Sequence, residues 1–386
     1  MSGLLDGMTV LDLASVGPAV RASGWLADYG AEVIKVGPVP TDAGVQIVPK
    51  PHYYSGGRGT RRVLIDLKSA SGREAFLTLA AHADVLIESY RPGVVERLGI
   101  SYDDVKGRNR GIVYCSTSGY GQTGERALWA GHDLNYLAVS GYLACSEPTQ
   151  GGKPPIPGTT IADIAGGGLH AVVAILAALV ARASTGEGAY LDVAVADGML
   201  ALMSLQLDDV LATGAEQLPA TAPLSGRYAC YDVYPTADDG WVAVAAIEAK
   251  FWANLCRALG VEEWIDAQYD DTVQDAARAA LTSAFRTGTR DDWVAMLAPA
   301  DTCVSPVLSA REAAGDTSFA ARGVYATACA PTSETWQQVA PLFAGAERAE
   351  RYDLPDRSVT DTETVLARCG LAEGDIARLI DEGAIA

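Results

Sequence analysis

Histidine, the side chain whose ordinary pKa suits acid–base chemistry near neutral pH, is scarce in this chain. Among 386 residues there are four histidines, His52, His82, His132 and His170, and none forms an HxxxH or HxH pair or sits beside a cysteine. A metal-ligating cluster is therefore not expected. His82 and His170 fall in helical stretches and His52 in a Pro/Tyr loop, where a structural or surface role is the default. His132 differs, because it follows a glycine in Ala130-Gly-His-Asp-Leu-Asn-Tyr-Leu-Ala-Val-Ser140 at the predicted start of a helix. Free backbone N–H groups at such a start can meet a developing anion, so His132 serves either as a cap or as a base. Asp163, in Thr159-Thr-Ile-Ala-Asp-Ile-Ala-Gly-Gly-Gly168, places a carboxylate at the head of an otherwise apolar helix. A capping role accounts for the carboxylate, but not for three glycines that each cost about 1 kcal/mol of helix stability. Something is expected to approach that turn closely. Glu248 closes an apolar strand, Val242-Ala-Val-Ala-Ala-Ile-Glu248, where a solvated strand end is the ordinary reading. Gly119-Tyr-Gly-Gln-Thr-Gly124 matches GxGxxG, yet no long helix opens after it and the first strand–helix turn, Ala14-Ser-Val-Gly-Pro18, lacks the motif. The loop is expected to bring backbone close to a ligand other than a dinucleotide.

These residues must be held by a folded protein of ordinary composition. Apolar residues make up 49% and charged residues 20%, which excludes disorder, coiled coil and collagen-like classes. The net charge of −19 disfavours nucleic acid as a partner. That charge is uneven: residues 1–110 carry 13 basic and 12 acidic side chains, the rest 16 and 36, so a polyanionic ligand would be bound by the first third. Seven cysteines without a CxxC pair read as reduced thiols. With no secretory signal pattern at Met1–Leu13, a cytoplasmic location is expected. The apolar run Ile161–Ala181 is long enough to span a bilayer but contains Asp163, the glycines and His170, so a helix buried in a soluble core, and no membrane, is expected.

Strand-like runs at Thr9–Leu13, Glu32–Val36, Val63–Asp66, Asp84–Glu88 and Ile112–Ser116 alternate with helical spacing at Arg21–Tyr29, Arg73–Ala81, Gly93–Leu98 and Tyr102–Arg108. The long helix from Asp163 and a strand at Ala189–Val195 follow. Such alternation predicts a mostly parallel α/β sheet over residues 1–212. A Thr/Pro/Ala/Gly-rich stretch at Thr213–Gly226 predicts a linker. A small α+β domain is predicted over 225–325, with a hairpin at Tyr231–Tyr234 and Trp241–Ala245 and helices at Phe251–Leu259, Thr272–Arg286 and Arg290–Leu297. From about Pro331 the chain reads as irregular, ending in helices Thr362–Arg368 and Gly374–Glu382, so that 331–386 returns to the large domain.

Taken in order, the blocks resemble the class III CoA-transferase family, the CaiB/BaiF type, and within it the α-methylacyl-CoA racemases. The resemblance rests on Leu26-Ala-Asp-Tyr-Gly-Ala-Glu-Val-Ile-Lys35, Leu64-Ile-Asp-Leu-Lys68, Glu88-Ser-Tyr-Arg-Pro-Gly93, Gly131-His-Asp-Leu-Asn-Tyr136, Thr302-Cys-Val-Ser-Pro-Val-Leu308 and Thr364-Val-Leu-Ala-Arg-Cys-Gly370. It implies a Rossmann-like large domain, a small domain and an interlocked homodimer with its active site between the large domain of one subunit and the small domain of the other. It implies His132 and Asp163 as the acid/base pair and Glu248 as a glutamate beside that histidine. Coenzyme A, as part of the substrate thioester and with no further cofactor, would meet Ile65, Asp66, Leu67, Lys68, Ser89, Tyr90, Arg91, Arg97, Gly131, Asn135 and Tyr136. The family's arginine after the second strand is missing from Val36-Gly-Pro-Val-Pro40, leaving Arg58, Arg61 or Arg62 as replacements.

Racemisation needs an enolate oxygen held by preorganised donors, offered here by the Gly131–Asp133 backbone, and two bases on opposite faces of the α-carbon. The competing expectation is a CoA-transferase using Asp163 as a nucleophile that carries CoA as an aspartyl thioester. Transferases of the family generally lack a histidine at position 132, and those resembling formyl-CoA transferase carry a glycine-rich loop where this sequence has Ala246-Ile-Glu-Ala249.

Overall fold

A computed structural model describes residues 3–14, 16–40, 57–149, 151–356 and 359–386. His52 and Ser15 lie outside them. The chain divides into two compact units, one built from Met1–Ser140, Pro157–Ser204 and Thr317–Ala386, the other from Gly141–Ile156 and Leu205–Asp316.

The first unit is organised by a six-stranded parallel sheet: β1 (Thr9–Asp12), β2 (Glu32–Gly37), β3 (Thr60–Leu64), β4 (Val85–Glu88), β5 (Val113–Ser118) and β6 (Ala189–Ala194). The spatial order β3-β2-β1-β4-β5-β6 is that of a Rossmann-like doubly wound sheet, and the chain reverses direction between β1 and β4. Alternate strand residues feed two cores. Leu11, Ile34, Val63, Leu86 and Tyr114 pack with helix Ala70–Ala80 and the C-terminal helices Thr362–Arg368 and Glu373–Asp381. Val10, Val33, Val85, Ile87 and Cys115 pack with helices Gly17–Asp28 and His170–Thr185 on the other face. Burial on both faces explains why these strands read as continuous apolar runs.

Two expectations need correction here. The stretch after Pro331 is not irregular: β10 (Tyr325–Cys329) pairs antiparallel with β11 (Thr335–Val339) and parallel with β12 (Arg351–Asp353). The apolar run from Ala162 is not buried all round. It begins as a π-helix, Ala162–Leu169, and continues as His170–Thr185, burying Ala171, Val172, Ile175 and Ala178 while Val173 and Val180 are exposed. It is one helical stretch long and apolar enough to cross a membrane, with one side packed on the sheet.

In the second unit, β7 (Tyr231–Pro235), β8 (Trp241–Ala245) and β9 (Val304–Pro306) form an antiparallel sheet. Tyr234, Val242 and Val244 of that sheet share a core with Trp252, Leu255, Phe285 and Leu297 from helices Ala249–Leu259, Gln274–Phe285 and Arg290–Leu297. It is a small α+β unit.

Candidate active site

The loop after β5 is shaped by one aromatic side chain. Tyr136 is buried, its hydroxyl donates to the Gly131 carbonyl at 2.6 Å, and its ring meets Tyr120 edge-on at 5.2 Å. A Cβ at Gly119 or Gly131 would fall 2.5 or 2.8 Å from that ring. At Gly119 and Gly131 the glycine loop thus packs closely on the chain's own Tyr136. Gly121 and Gly124 have φ of +84° and +88°, which only glycine adopts cheaply.

The loop delivers His132 to the start of helix Asp133–Val139 in extended backbone, with its side chain exposed. The Asn135 side chain accepts from the His132 N–H at 3.0 Å, and the Asn135 N–H donates to the His132 carbonyl at 2.8 Å. Asn135 Oδ1 and the Tyr136 hydroxyl thus hold the His132 turn.

Asp163 lies in the first turn of the π-helix, half-buried, and its N–H donates to Asp133 Oδ1 at 2.9 Å. Burial pushes its carboxyl above the ordinary carboxylate range, the Asp133 charge adds to that rise, and Arg21 and His132 oppose it. Arg21 also donates to Thr160 Oγ1 at 3.2 Å. His132, Asp133, Asp163 and Arg21 thus form one electrostatic neighbourhood. The three glycines are explained by packing: a Cβ at Gly166 would sit 2.8 Å from the Val195 carbonyl oxygen, at Gly167 2.5 Å from Pro18, and at Gly168 2.9 Å from the Trp25 ring. Two neighbouring helices, Gly17–Asp28 and Val195–Leu202, press on that turn.

Glu248 belongs to the second unit, where it is exposed and precedes helix Ala249–Leu259 as its N-cap. The remaining candidates lie past the carboxyl ends of β3 and β4. Ile65 is buried and bridges to Ile385, the Asp66 N–H donates to the Ala384 carbonyl, and Asp66 Oδ1 accepts from the Lys68 N–H at 3.0 Å. Leu67 packs against the core beneath. Lys68, Ser89, Arg91 and Arg97 are exposed, and Tyr90 is half-buried. In open parallel sheets ligands bind past the carboxyl ends of the strands, at the reversal of strand order, which here lies between β1 and β4. Of the replacements considered for the missing arginine, Arg58 is buried in an ion pair with Asp28, and Arg61 pairs with Glu32 and Asp361. Among the described residues no group of three or more His, Cys, Asp or Glu side chains is placed to hold a metal.

Two buried acids at the same edge were not singled out from sequence. Asp12, ending β1, accepts from the Ala14 N–H at 2.7 Å, from Ser23 and from Lys35. Glu88, ending β4, accepts from Ser116 and, at 2.7 Å, from the Tyr90 N–H, and burial pushes its carboxyl up to about 7. The available signal was a carboxylate directly after an apolar strand, in Val-Leu-Asp12 and Leu-Ile-Glu88.

Comparison with known proteins bears on this geometry. The sequence model of CoA-transferase family III matches residues 5–356. The chain is 29% identical to the human protein named alpha-methylacyl-CoA racemase over 376 residues, covering 97% of this chain and 96% of that one. It is 32% identical to the acetyl-CoA:oxalate CoA-transferase of Acetobacter aceti over 337 residues, 83% of this chain and 85% of that one. The crystal structure of a CaiB/BaiF family protein from Brucella suis superposes with a TM-score of 0.78 at 27% identity, covering 96% of this chain and all of the other.

Proposed function

The chain belongs to CoA-transferase family III, and on that premise we propose that it is an acyl-CoA racemase or epimerase, inverting the α-carbon of a 2-methylacyl-CoA thioester. The observation that carries the reading is the pairing of His132 with Asp163, an exposed imidazole beside a half-buried carboxyl whose pKa is raised. A transferase needs the carboxylate alone; a racemase needs both an acid and a base in place at once.

For one enantiomer His132 takes the α-proton and the C–H electron pair moves into the thioester carbonyl as an enolate. The backbone N–H of Asp133 faces the enolate oxygen. Asp163 in its protonated form, which its burial favours, returns a proton to the opposite face as the enolate electrons re-form a C–H bond. The other enantiomer runs the same steps in reverse. Glu248, from the second subunit of an interlocked homodimer, pairs with the imidazole and holds it in its working tautomer. The exposed apolar residues Val173, Val180, Leu200 and Leu202 support such self-association. Lys68, Arg91 and Arg97 meet the phosphates of CoA, while Ile65, Asp66, Leu67, Ser89 and Tyr90 line its remainder.

The competing mechanism, supported by the Acetobacter relative's name, forms a thioester between CoA and Asp163. Incubation with acyl-CoA followed by hydroxylamine or borohydride separates the two. The proposal expects no mass change on the peptide containing Asp163, and an adduct or reduction product there contradicts it.

A further inference from the structure

Two catalytic groups on different elements can act on opposite faces of one carbon only if the gap between them is held. His132 precedes a helix of seven residues, too short to be stable alone, and Asp163 sits in the first turn of a π-helix, where N–H groups lack partners within the helix. Ile161, at the N-cap position, supplies no side-chain cap. The Asp163 N–H is instead taken at 2.9 Å by Oδ1 of Asp133, 30 positions earlier and adjacent to His132.

We propose that the Asp133 side chain is a positioning residue, a strut that fixes Asp163 against the His132 turn and thereby sets the gap in which the α-carbon sits. This role is additional to the backbone N–H of the same residue, and it rests on the reading of His132 and Asp163 as the two bases. The choice of acid is informative. Asparagine would accept the same hydrogen bond. A carboxylate also places negative charge beside Asp163, which holds that carboxyl protonated to higher pH. The charged and titratable groups facing Asp163 are Asp133, His132 and Tyr136 from the loop and helix after β5, and Arg21 from helix Gly17–Asp28. Of these, only Asp133 both raises the Asp163 carboxyl and bonds its backbone.

The test compares Asp133→Asn with Asp133→Ala on single enantiomers of a 2-methylacyl-CoA in deuterated water. Asp133→Ala should lose about 10²-fold in the inversion rate, the scale of a 1 Å misplacement, with KM changed only a few-fold. Asp133→Asn should recover at least tenfold of that loss. In the direction that uses Asp163 as base, its acidic limb should move to lower pH, because a carboxyl without the neighbouring charge ionises more readily. A second measurement does not depend on activity: with aspartate labelled at its carboxyl carbon, the Asp163 titration midpoint should be lower in Asp133→Asn than in the unaltered protein. If the unaltered protein exchanges no deuterium, the racemase reading fails while the titration still decides on Asp133. An inversion rate in Asp133→Ala within threefold of the unaltered protein, or an unchanged Asp163 midpoint in Asp133→Asn, overturns the proposal. Should Asp133→Ala not fold, Asp133→Asn decides alone.

Discussion

Glu88→Gln isolates a buried acid at the edge of the sheet. Glu88 is 2% exposed and its carboxyl titrates at about 7, against 4.5 for the unburied group. Between those values the folded chain holds a proton that the unfolded chain has released, so stability falls as pH rises through the window. The separation is about 2.5 pH, and at 1.36 kcal/mol per pH the loss approaches about 3 kcal/mol by pH 8. Gln is neutral throughout and still offers an oxygen to the Tyr90 N–H, which Glu88 binds at 2.7 Å. The assay is urea unfolding of both proteins from pH 4.5 to 8, taking the difference at each pH so that shared titrations cancel. The unaltered protein should lose ground to Glu88→Gln progressively with pH, most steeply between 5 and 7. A difference that stays flat, or that favours the unaltered protein as pH rises, would mean that Glu88 is already ionised at pH 5. Because Glu88 holds the turn carrying Ser89, Tyr90 and Arg91, the same change should leave acyl-CoA affinity near normal at pH 6.

Arg97→Glu should weaken acyl-CoA binding by roughly tenfold to a hundredfold, since one charge-assisted phosphate contact contributes about 1.5–3 kcal/mol; calorimetric titration with unchanged affinity would place the phosphates elsewhere. Gly167→Ala drives a Cβ to 2.5 Å from Pro18 and should cost about 1–3 kcal/mol of stability by overpacking. An unfolding midpoint equal to that of the unaltered protein would show that the helices at this turn are not in contact.

The parallel sheet was legible because both of its faces are buried, which makes β1, β2, β4 and β5 apolar runs flanked by helical periodicity. Strand β11 was not, because its sequence Thr-Trp-Gln-Gln-Val has one buried position, Gln338, and no apolar alternation. The π-helix escaped notice for a related reason: apart from Asp163, Ala162–Leu169 is a run of apolar and glycine residues, so no period distinguishes i,i+5 from i,i+4 bonding. His132 after a glycine and Asp163 before three glycines stand out locally, but each also reads as a helix cap, and their pairing came from the family resemblance rather than from their spacing. Asp12 and Glu88 were passed over because an acid at a strand end ordinarily meets water, and their burial depends on partners, Lys35 and Ser116, that only the folded sheet brings beside them.

Entry of solvent deuterium at the α-carbon, followed separately from each pure enantiomer of a 2-methylacyl-CoA, tests the two-base account most directly. In the unaltered protein both enantiomers should exchange and interconvert. His132→Ala should abolish inversion in both directions yet still admit deuterium into the enantiomer whose α-proton faces Asp163, and Asp163→Ala should show the opposite preference. Equal loss of exchange from both enantiomers in each single variant would contradict the assignment of the two residues to opposite faces.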